Sequence, residues 1–413
     1  MNIIEDIFQA IFIGLIVANF LLNTGRALKA IDVCKECLIV LNIKVLKKEE
    51  EILNLLHIGI YEAIFRAFCL IHDHTEALFY GRKLLDIYGE CGKKDEEGNL
   101  AIILADLYRH QYKYLEAMEL YEKAINITKE IKDRKNQAYA TESTGIIFYQ
   151  LGDCDKAKEY LKKALAITIQ IGDKKEEASS YGNLGLVFKS LGEYDKAMEY
   201  LEKALAISLQ ILDKEGEASS YGKLGMVFLS LAEYNKAMQY VENALSIAIQ
   251  IGDKDGEASS YGNLGTVFQY LGDYEKAKEY FKKALAMKIK VGDKKGEATL
   301  YGNLGIVFRN LGEYHKGIDY LEKALAIRIK IGDRKGEASS YGNLGTVFRS
   351  LGEYDKAIDY FQKALVIRIQ IGDTEGKAAD YTNLGVMYQS VGEYIMAEGY
   401  LRRRCQFLET LET

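Results

Sequence analysis

The sequence predicts an all-α protein, an α-solenoid of about ten helix–turn–helix units, and three observations predict it. The chain repeats itself every 40 residues, marked by Tyr181, Tyr221, Tyr261, Tyr301, Tyr341 and Tyr381 and by glycines at 145, 185, 225, 265, 305, 345 and 385. A fixed period of this length is the signature of a repeat array. Within a unit, apolar residues recur at three- and four-residue steps, as at Ala197, Leu201, Ala204 and Leu205, which gives one apolar stripe along a helix. Proline is absent from all 413 residues, where ordinary usage would supply about 20. A helical fold tolerates that easily, because proline breaks helix interiors.

Residues 1–50 read as a degenerate helix pair. From Ile7 to Gly25 there is no charge, and Ile7, Phe8, Ile11, Phe12, Leu15 and Ile16 make the run strongly apolar. It is long enough to span a bilayer. Glu5 and Asp6 stand where a signal peptide would carry positive charge, and Gln9, Gly14 and Asn19 dilute the run. The expectation is a packed first helix, with a membrane anchor as the alternative. Gly25 through Ala30 (GRALKA) parallels Gly192 through Ala197 (GEYDKA). Residues 51–137 hold divergent units that keep the register through Ala77, Tyr80 and Leu85, then Ala117, Leu120 and Ala124.

Residues 138–400 form the regular array. In one unit, Gly172 ends the preceding helix and Asp173 caps the next. The first helix runs to about Ser190, Leu191-Gly192-Glu193 turns the chain, and the second helix runs from about Tyr194 to Leu212. Small residues at Gly185, Ala197 and Ala204 let the two axes approach. One pair cannot bury its own core, so pairs must stack. Residues 401–413 read as a truncated end, where Arg402-Arg403-Arg404 replaces the usual Glu-Lys-Ala. The basic triplet reads as a solvated terminus.

The pattern Tyr181-x-x-Leu184-Gly185-x-x-Phe188, followed by Ala197, Leu201 and Ala204, resembles the tetratricopeptide repeat with tyrosine in the tryptophan place. The phrase GNLGTVFRSLGEYDKAIDYFQKALVIRIQIGD (342–373) and its copies are similar to the forty-residue class, in particular the LGN/Pins spindle-orientation adaptors and the tetratricopeptide repeat protein 28 type. The likeness is closest over 138–400, looser over 61–137 and faintest before 50. It implies a right-handed superhelix whose first helices line the inner wall, where extended partner peptides bind. The downstream Gα-binding motifs of LGN-like proteins are not seen, so spindle orientation is not implied.

Several function classes find no support. A net charge of −6 and a pI of about 5.7 give the whole chain no electrostatic reason to bind nucleic acid. There is no phosphate-binding Gly-x-x-x-x-Gly-Lys-Ser/Thr loop, no Gly-x-Ser-x-Gly and no His-Glu-x-x-His. Five histidines leave little general acid–base capacity at neutral pH. No catalytic residue and no cofactor is expected. Cysteines at 34, 37, 69, 91, 154 and 405 do not follow the repeat, which fits reduced thiols in a cytoplasmic protein better than a disulfide framework. Cys34-x-x-Cys37 has the spacing of half a zinc site, but His57, His72 and His74 offer no matching ligand pair. Helix packing is the preferred reading and no metal is expected.

The candidate site lies on the other face of the first helices. Tyr181, Leu184, Gly185 and Phe188 point to the core at helical spacing. Ser179, Gly182, Asn183, Leu186, Lys189 and Ser190 fall on the opposite side. Stacked across units they form a ladder of Asn183, Asn263, Asn303, Asn343 and Asn383, interrupted by Lys223. An asparagine amide both donates to and accepts from a peptide backbone, though each amide could equally bond a neighbouring helix. Gly182, Gly222, Gly262, Gly302 and Gly342 each cost a helix about 0.8–1.0 kcal/mol against alanine. Either a neighbouring helix or a ligand backbone approaches there. Two rows vary between near-identical units: Leu186, Met226, Thr266, Ile306, Thr346, Val386 and Lys189, Leu229, Gln269, Arg309, Arg349, Gln389. Lys189, Lys223, Arg309 and Arg349 make this wall positive, against Glu142 at its start. The expected ligand is an extended protein segment with acidic groups near Arg309 and Arg349 and an apolar anchor near Met226 and Leu229.

The reading is a non-catalytic scaffold or adaptor that binds a partner peptide, monomeric or weakly self-associating. The alternatives are a structural array that associates through its ends, a membrane-anchored scaffold, and the repeat portion of a larger signalling protein.

Overall fold

The structure is a computed structural model that describes residues 3–41 and 50–412; the side chains of 3, 4, 50, 51, 374, 375 and 406–412 lie outside that description, as do residues 42–49 of the expected N-terminal pair. The described residues form twenty α-helices in ten consecutive pairs and no strand. The first five pairs are α1 (Ile3–Asn23) with α2 (Ala27–Leu41), α3 (Glu50–Leu70) with α4 (His74–Glu90), α5 (Lys94–His110) with α6 (Tyr114–Glu130), α7 (Arg134–Leu151) with α8 (Cys154–Ile171), and α9 (Lys174–Ser190) with α10 (Tyr194–Gln210). The others are α11 (Lys214–Ser230) with α12 (Tyr234–Ile251), α13 (Lys254–Tyr270) with α14 (Tyr274–Val291), α15 (Lys294–Asn310) with α16 (Tyr314–Ile331), α17 (Arg334–Ser350) with α18 (Tyr354–Ile371), and α19 (Thr374–Ser390) with α20 (Tyr394–Glu412). The chain divides into two compact units, Met1–Ile147 and Phe148–Thr413.

Local chemistry sets the ends of each helix. Asp173, Asp293, Asp333 and Asp373 each accept a hydrogen bond from a backbone N–H of the following first turn, the N-cap interaction the sequence predicts. Gly172 and Gly192 take left-handed φ values of 73° and 74°, as helix-terminating glycines do. Leu212 and Ala232 occupy the same left-handed turn at φ 59° without being glycine. The second helix of that unit ends at Gln210, two residues before the predicted limit.

Within a pair, the glycine at position 185 and its equivalents sets the spacing. A Cβ on Gly185 would lie 2.6 Å from Leu201 Cγ and 3.3 Å from the Ala197 carbonyl, and one on Gly305 2.6 Å from Leu321 Cγ. No side chain fits there, so the helices close to backbone contact. Leu184, Phe188 and Leu201 are buried. Tyr181 is half-buried, its ring 5.8 Å from Tyr200, which also meets Phe188 at 5.0 Å. The recurring tyrosines are therefore structural, with aromatic pairs adding to simple burial.

In the second unit the first helices of successive pairs also touch one another: α9 meets α11, α11 meets α13, α13 meets α15 and α15 meets α17. Among the described residues no two second helices of this unit meet as closely. The first helices thus occupy the more tightly spaced side of this stack.

In the first unit, α1 packs on α2 and α3 through Ile11, Ala18 and Leu22. Its other face leaves Phe12, Ile13, Ile16 and Phe20 each more than half exposed. By length and composition two described segments, Glu5–Asn23 and Ile52–Leu70, could each cross a bilayer; both place one face in the core of this unit. Cys34 and Cys37 are buried on α2. A Cβ on Gly14 would meet Cys37 Sγ at 2.5 Å, so this thiol packs α2 against α1. Burial pushes the Cys34 thiol up to about 12, which keeps it protonated.

Candidate functional site

The first-helix face opposite the core is built as a set of parallel rows. Asn183, Asn263, Asn303, Asn343 and Asn383 are all half-buried. The Asn263 amide nitrogen lies 3.9 Å from where a Cβ of Gly222 would stand, so the asparagine of one unit borders the glycine of the unit before it. Lys223 takes the asparagine place in its own unit, with its ammonium 2.8 Å from a Cβ built on Gly182. Asn183 and Lys223 are both engaged within the protein.

The glycine row is not uniform. Gly182 and Gly302 are buried, the first beside the Lys223 ammonium and the second beside the Arg328 guanidinium at 3.5 Å. Gly222, Gly262 and Gly342 are partly open. A Cβ at those three would meet its nearest neighbours at 3.9, 3.6 and 3.6 Å, which is ordinary contact. Helix packing gives no reason for glycine at these positions. Thr266 and Thr346, four residues after Gly262 and Gly342, turn their hydroxyls inward to donate to the glycine carbonyls at 3.0 and 2.9 Å.

The row containing Lys189, Arg309 and Arg349 carries unneutralised charge. All three are half-buried, and among the described residues none pairs with a carboxylate. Burial lowers the Lys189 ammonium below the usual lysine range. Burial and then the Arg349 charge lower Arg309, while Tyr274 and Tyr314 act the other way. The Arg309 Nε and Nη2 donate to the side-chain oxygen of Asn310 at 3.2 and 2.9 Å. Two guanidinium groups acting on one another without an intervening acid leave capacity for an anion.

The expected apolar anchor needs correction. Leu229 is buried in a cluster with Ala237 and Val267, and Met226 packs partly against it. In a row otherwise occupied by lysine, arginine and glutamine, an apolar side chain gains more by folding under its neighbour than by standing in water. Sequence position placed Leu229 on the wall; its chemistry turned it inward.

Two polar features were not anticipated. Tyr121 and Tyr139 hydroxyls both donate to the Asp106 carboxylate, which also pairs with Arg109 at 3.2 Å. Burial is the main cause that holds both tyrosines above their usual range. Further on, the last turn of successive second helices carries Lys288 and Arg328, which are buried, and Arg368, which is half-buried, and each meets groups at the start of the next first helix. Their place, four residues after the buried Ala284, Ala324 and Ala364, puts them on the apolar stripe, but their charge argues against burial. No group of His, Cys, Asp and Glu able to hold a metal ion is found among the described residues.

The tetratricopeptide repeat model matches residues 96–170, 136–210, 216–290, 296–370 and 351–410. The chain belongs to the tetratricopeptide repeat family. No curated protein matches it. Among solved structures, it is similar to a Rap protein complexed with competence and sporulation factor, at 14% identity and TM-score 0.55 over 98% of this chain and 99% of that one. It is also similar to aspartyl phosphate phosphatase F from Bacillus subtilis, at 17% identity and TM-score 0.51 over 85% and 92% of the two chains. A third likeness is to a signal transduction ATPase with a tetratricopeptide repeat sensor from Pyrococcus horikoshii, at 20% identity and TM-score 0.50 over 85% of this chain and 52% of that one. At these identities the likeness is one of fold. Tetratricopeptide repeats are typically scaffolds for protein interaction, and the stacked helix pairs described above are a scaffold of that kind.

Proposed function

We propose that this protein is a non-catalytic adaptor that holds an extended segment of a partner protein against the open face of its first helices. The observation that carries the reading is the partly open glycine row beside the asparagines. Gly222, Gly262 and Gly342 each cost their helix about 0.8–1.0 kcal/mol, and no neighbouring group needs the space. A ligand backbone would use it, with Asn263, Asn303, Asn343 and Asn383 offering paired donors and acceptors to its amides. Asn183, Lys223 and Met226 extend the same face. Lys189, Arg309 and Arg349 supply the charge that selects acidic side chains in the segment. The resemblance to LGN/Pins-type adaptors and tetratricopeptide repeat protein 28-type arrays supports an adaptor role in signalling. Six thiols that form no disulfide fit the cytoplasm.

A displayed library of random peptides tests this. Peptides selected on the parent protein should be enriched in Asp and Glu. They should bind more weakly as salt rises, because exposed charge pairs are screened within about 8–10 Å. Reversing both charges, Arg309→Glu with Arg349→Glu, should weaken them and flatten that salt dependence. Binders that ignore this double variant, and also ignore alanine at Asn263, Asn303 and Asn343 while helical content is unchanged, would place recognition elsewhere and end the reading.

A second reading, association of two copies, has its own observation. Phe12, Ile13, Ile16, Val17 and Phe20 form one exposed stripe on α1. Together they present about 500 Å² of apolar surface per copy, and two copies would cover about 1,000 Å², where specific interfaces begin. An antiparallel pairing would set Glu5 and Asp6 of one copy beside Arg26 and Lys29 of the other. Sedimentation equilibrium decides it: a mass that rises with concentration and falls to the monomer in Phe12→Ser/Phe20→Ser supports it, and a monomer throughout removes it.

A further inference from the structure

The near-identical units carry an internal comparison. At the last turn of α16, Arg328 is buried, and its Nη1 donates to the Gly336 carbonyl and to Ser340 Oγ, both at 2.8 Å. At the last turn of α18, Arg368 reaches the Gly376 carbonyl in the same way. At the last turn of α14, Lys288 enters the equivalent space and pairs with Asp293 at 3.1 Å. The glycines at 296, 336 and 376 are the floor on which these stems lie: a Cβ there would meet Lys288 Cδ at 3.1 Å, Arg328 Cδ at 2.9 Å and Arg368 Cδ at 2.6 Å.

At the last turn of α10 the residue is Ser208, and every acceptor of the Arg328 site is kept. Gly216 and Ser220 stand in the places of Gly336 and Ser340, and Asp213 in that of Asp333. Ser208 is 1% exposed and its Oγ has no hydrogen-bond partner. Asp213 precedes α11 but makes none of the capping bonds that Asp293 and Asp333 make. Both Ser208 Oγ and the Asp213 carboxylate converge on Gly216, each within 2.6 Å of where its Cβ would stand. Together with Ser220 they line a cavity of about 270 Å³, several times the ~30 Å³ share of one water. Its rim carries Glu176 and Glu215 against Lys175 and Lys223, so acid predominates once Asp213 is included. The exposed Ser179 and Ser219 also border it.

We infer that this cavity, between the first turns of α9, the last turn of α10 and the first turns of α11, is a binding site for a guanidinium group supplied by a ligand, in the position that Arg328 fills from within the chain. The planar fork of a guanidinium meets fixed carbonyl, hydroxyl and carboxylate acceptors at once, which a compact ammonium does not. The group arrives on an arginine side chain of a bound segment or as a free arginine-like molecule. The site is separate from Arg309 and Arg349 and stands or falls without them.

The test is a titration of the isotope-labelled full chain followed by backbone amide shifts at Gly216 and Ser220. The probes are N-acetylarginine amide, free arginine and, as the neutral isostere, N-acetylcitrulline amide. The expected result is saturable shifts with the arginine probes in the millimolar range, as a small charged fragment gives, and none with citrulline. Tighter binding of the capped amide than of free arginine marks a peptide side chain as the natural source, and the reverse marks a free molecule. Ser208→Arg, which supplies the group from within the chain as at Arg328, should abolish the shifts. Asp213→Asn should weaken binding about tenfold and serves as the test if Ser208→Arg does not fold. The inference is overturned if the arginine probes produce no shift through tens of millimolar. It is also overturned if citrulline matches them or Ser208→Arg leaves them intact; should that variant not fold, unchanged binding in Asp213→Asn overturns it.

Discussion

Gly342 and Gly345 sit three residues apart on α17, and the same substitution should move stability in opposite directions. Alanine gains about 0.8–1.0 kcal/mol over glycine in a helix interior. At Gly342 the new Cβ meets Arg368 Nη2 at 3.6 Å and Asp380 Oδ1 at 4.0 Å, so nothing has to move and most of that gain is kept. At Gly345 the Cβ would stand 2.9 Å from Phe361 Cδ1 and Cε1 and 3.0 Å from Cζ. Phe361 is fully buried and cannot swing aside. Overpacking of this kind costs about 1–3 kcal/mol, which outweighs the propensity gain by about 1 kcal/mol. Urea unfolding followed by circular dichroism should therefore separate Gly342→Ala from Gly345→Ala by about 2 kcal/mol, with the parent between them. Equal shifts, or a destabilised Gly342→Ala, would refute the claim that only the second glycine is there for packing. The binding corollary is sharper still. If Gly222→Ala, Gly262→Ala and Gly342→Ala stabilise the protein and also weaken a selected peptide, the glycines are kept for the ligand.

Other expectations follow from the same packing. Leu212→Gly and Ala232→Gly relieve left-handed turns at exposed residues; each should add about 0.5–1 kcal/mol, read as a rise in the urea midpoint. Asp380 is 1% exposed, and burial, against the opposing pull of Arg368 and with a push from Asp373, raises its carboxyl to about 7. A carboxyl raised in the folded state is penalised as it ionises, so its unfavourable contribution is absent below pH 4 and grows by about 1.4 kcal/mol per pH unit toward 7. Asp380→Ser, the residue that Arg328 meets at Ser340, should thus match the parent near pH 4 and exceed it by a few kcal/mol at pH 8 in denaturant unfolding. A constant difference across that range would show that desolvation of Asp380 is not what sets its titration.

The helix pairs were legible because each is punctuated by its own chemistry. Asp173 as a cap, Gly172 and Gly192 as left-handed stops, and Gly185 as the point of closest approach are local signals that no tertiary context overrides. The asparagine and glycine rows were legible as a face, because helical spacing fixes which residues share one. What each row touches was not legible. Leu229 reads as a wall residue by position and is core by contact. Gly182 and Gly342 are equivalent in sequence, yet one is covered by Lys223 and the other is partly open. Lys288, Arg328 and Arg368 carry the charge of solvated helix ends, yet the first two are buried and the third half-buried, because the next helix brings carbonyls, hydroxyls and carboxylates to meet them. Period reports which residues are alike, whereas burial of a polar group depends on partners some ten residues away across a junction.

Those junctions also differ in strength, and the differences cluster. In a repeat array each pair is held mainly by its neighbours, so the weakest junction is where local opening begins. Around α11 three departures from the regular unit coincide. Leu212 holds a left-handed turn without being glycine, the Asp213 side chain makes no cap bond to α11, and Ser208, like Ala248 before α13, contributes no cation to the interface where Lys288, Arg328 and Arg368 each contribute one. Ala232 repeats the unfavourable turn at the other end of the same helix. A lost cap costs about 1 kcal/mol and each left-handed turn without glycine about 0.5–1, so α11 should open about 2–3 kcal/mol below its equivalents α13, α15 and α17. Amide hydrogen exchange resolves this directly, with faster exchange expected at Glu217 through Leu224 than at Glu297 through Leu304. Places where a chain breaks its own local rules tend to be functional, and this one adjoins the cavity that repeats the Arg328 acceptors. Saturation with N-acetylarginine amide should then slow exchange in α11 selectively, while uniform protection along the array would show that the junctions are equally strong and that the departures at 208, 212 and 213 are compensated elsewhere.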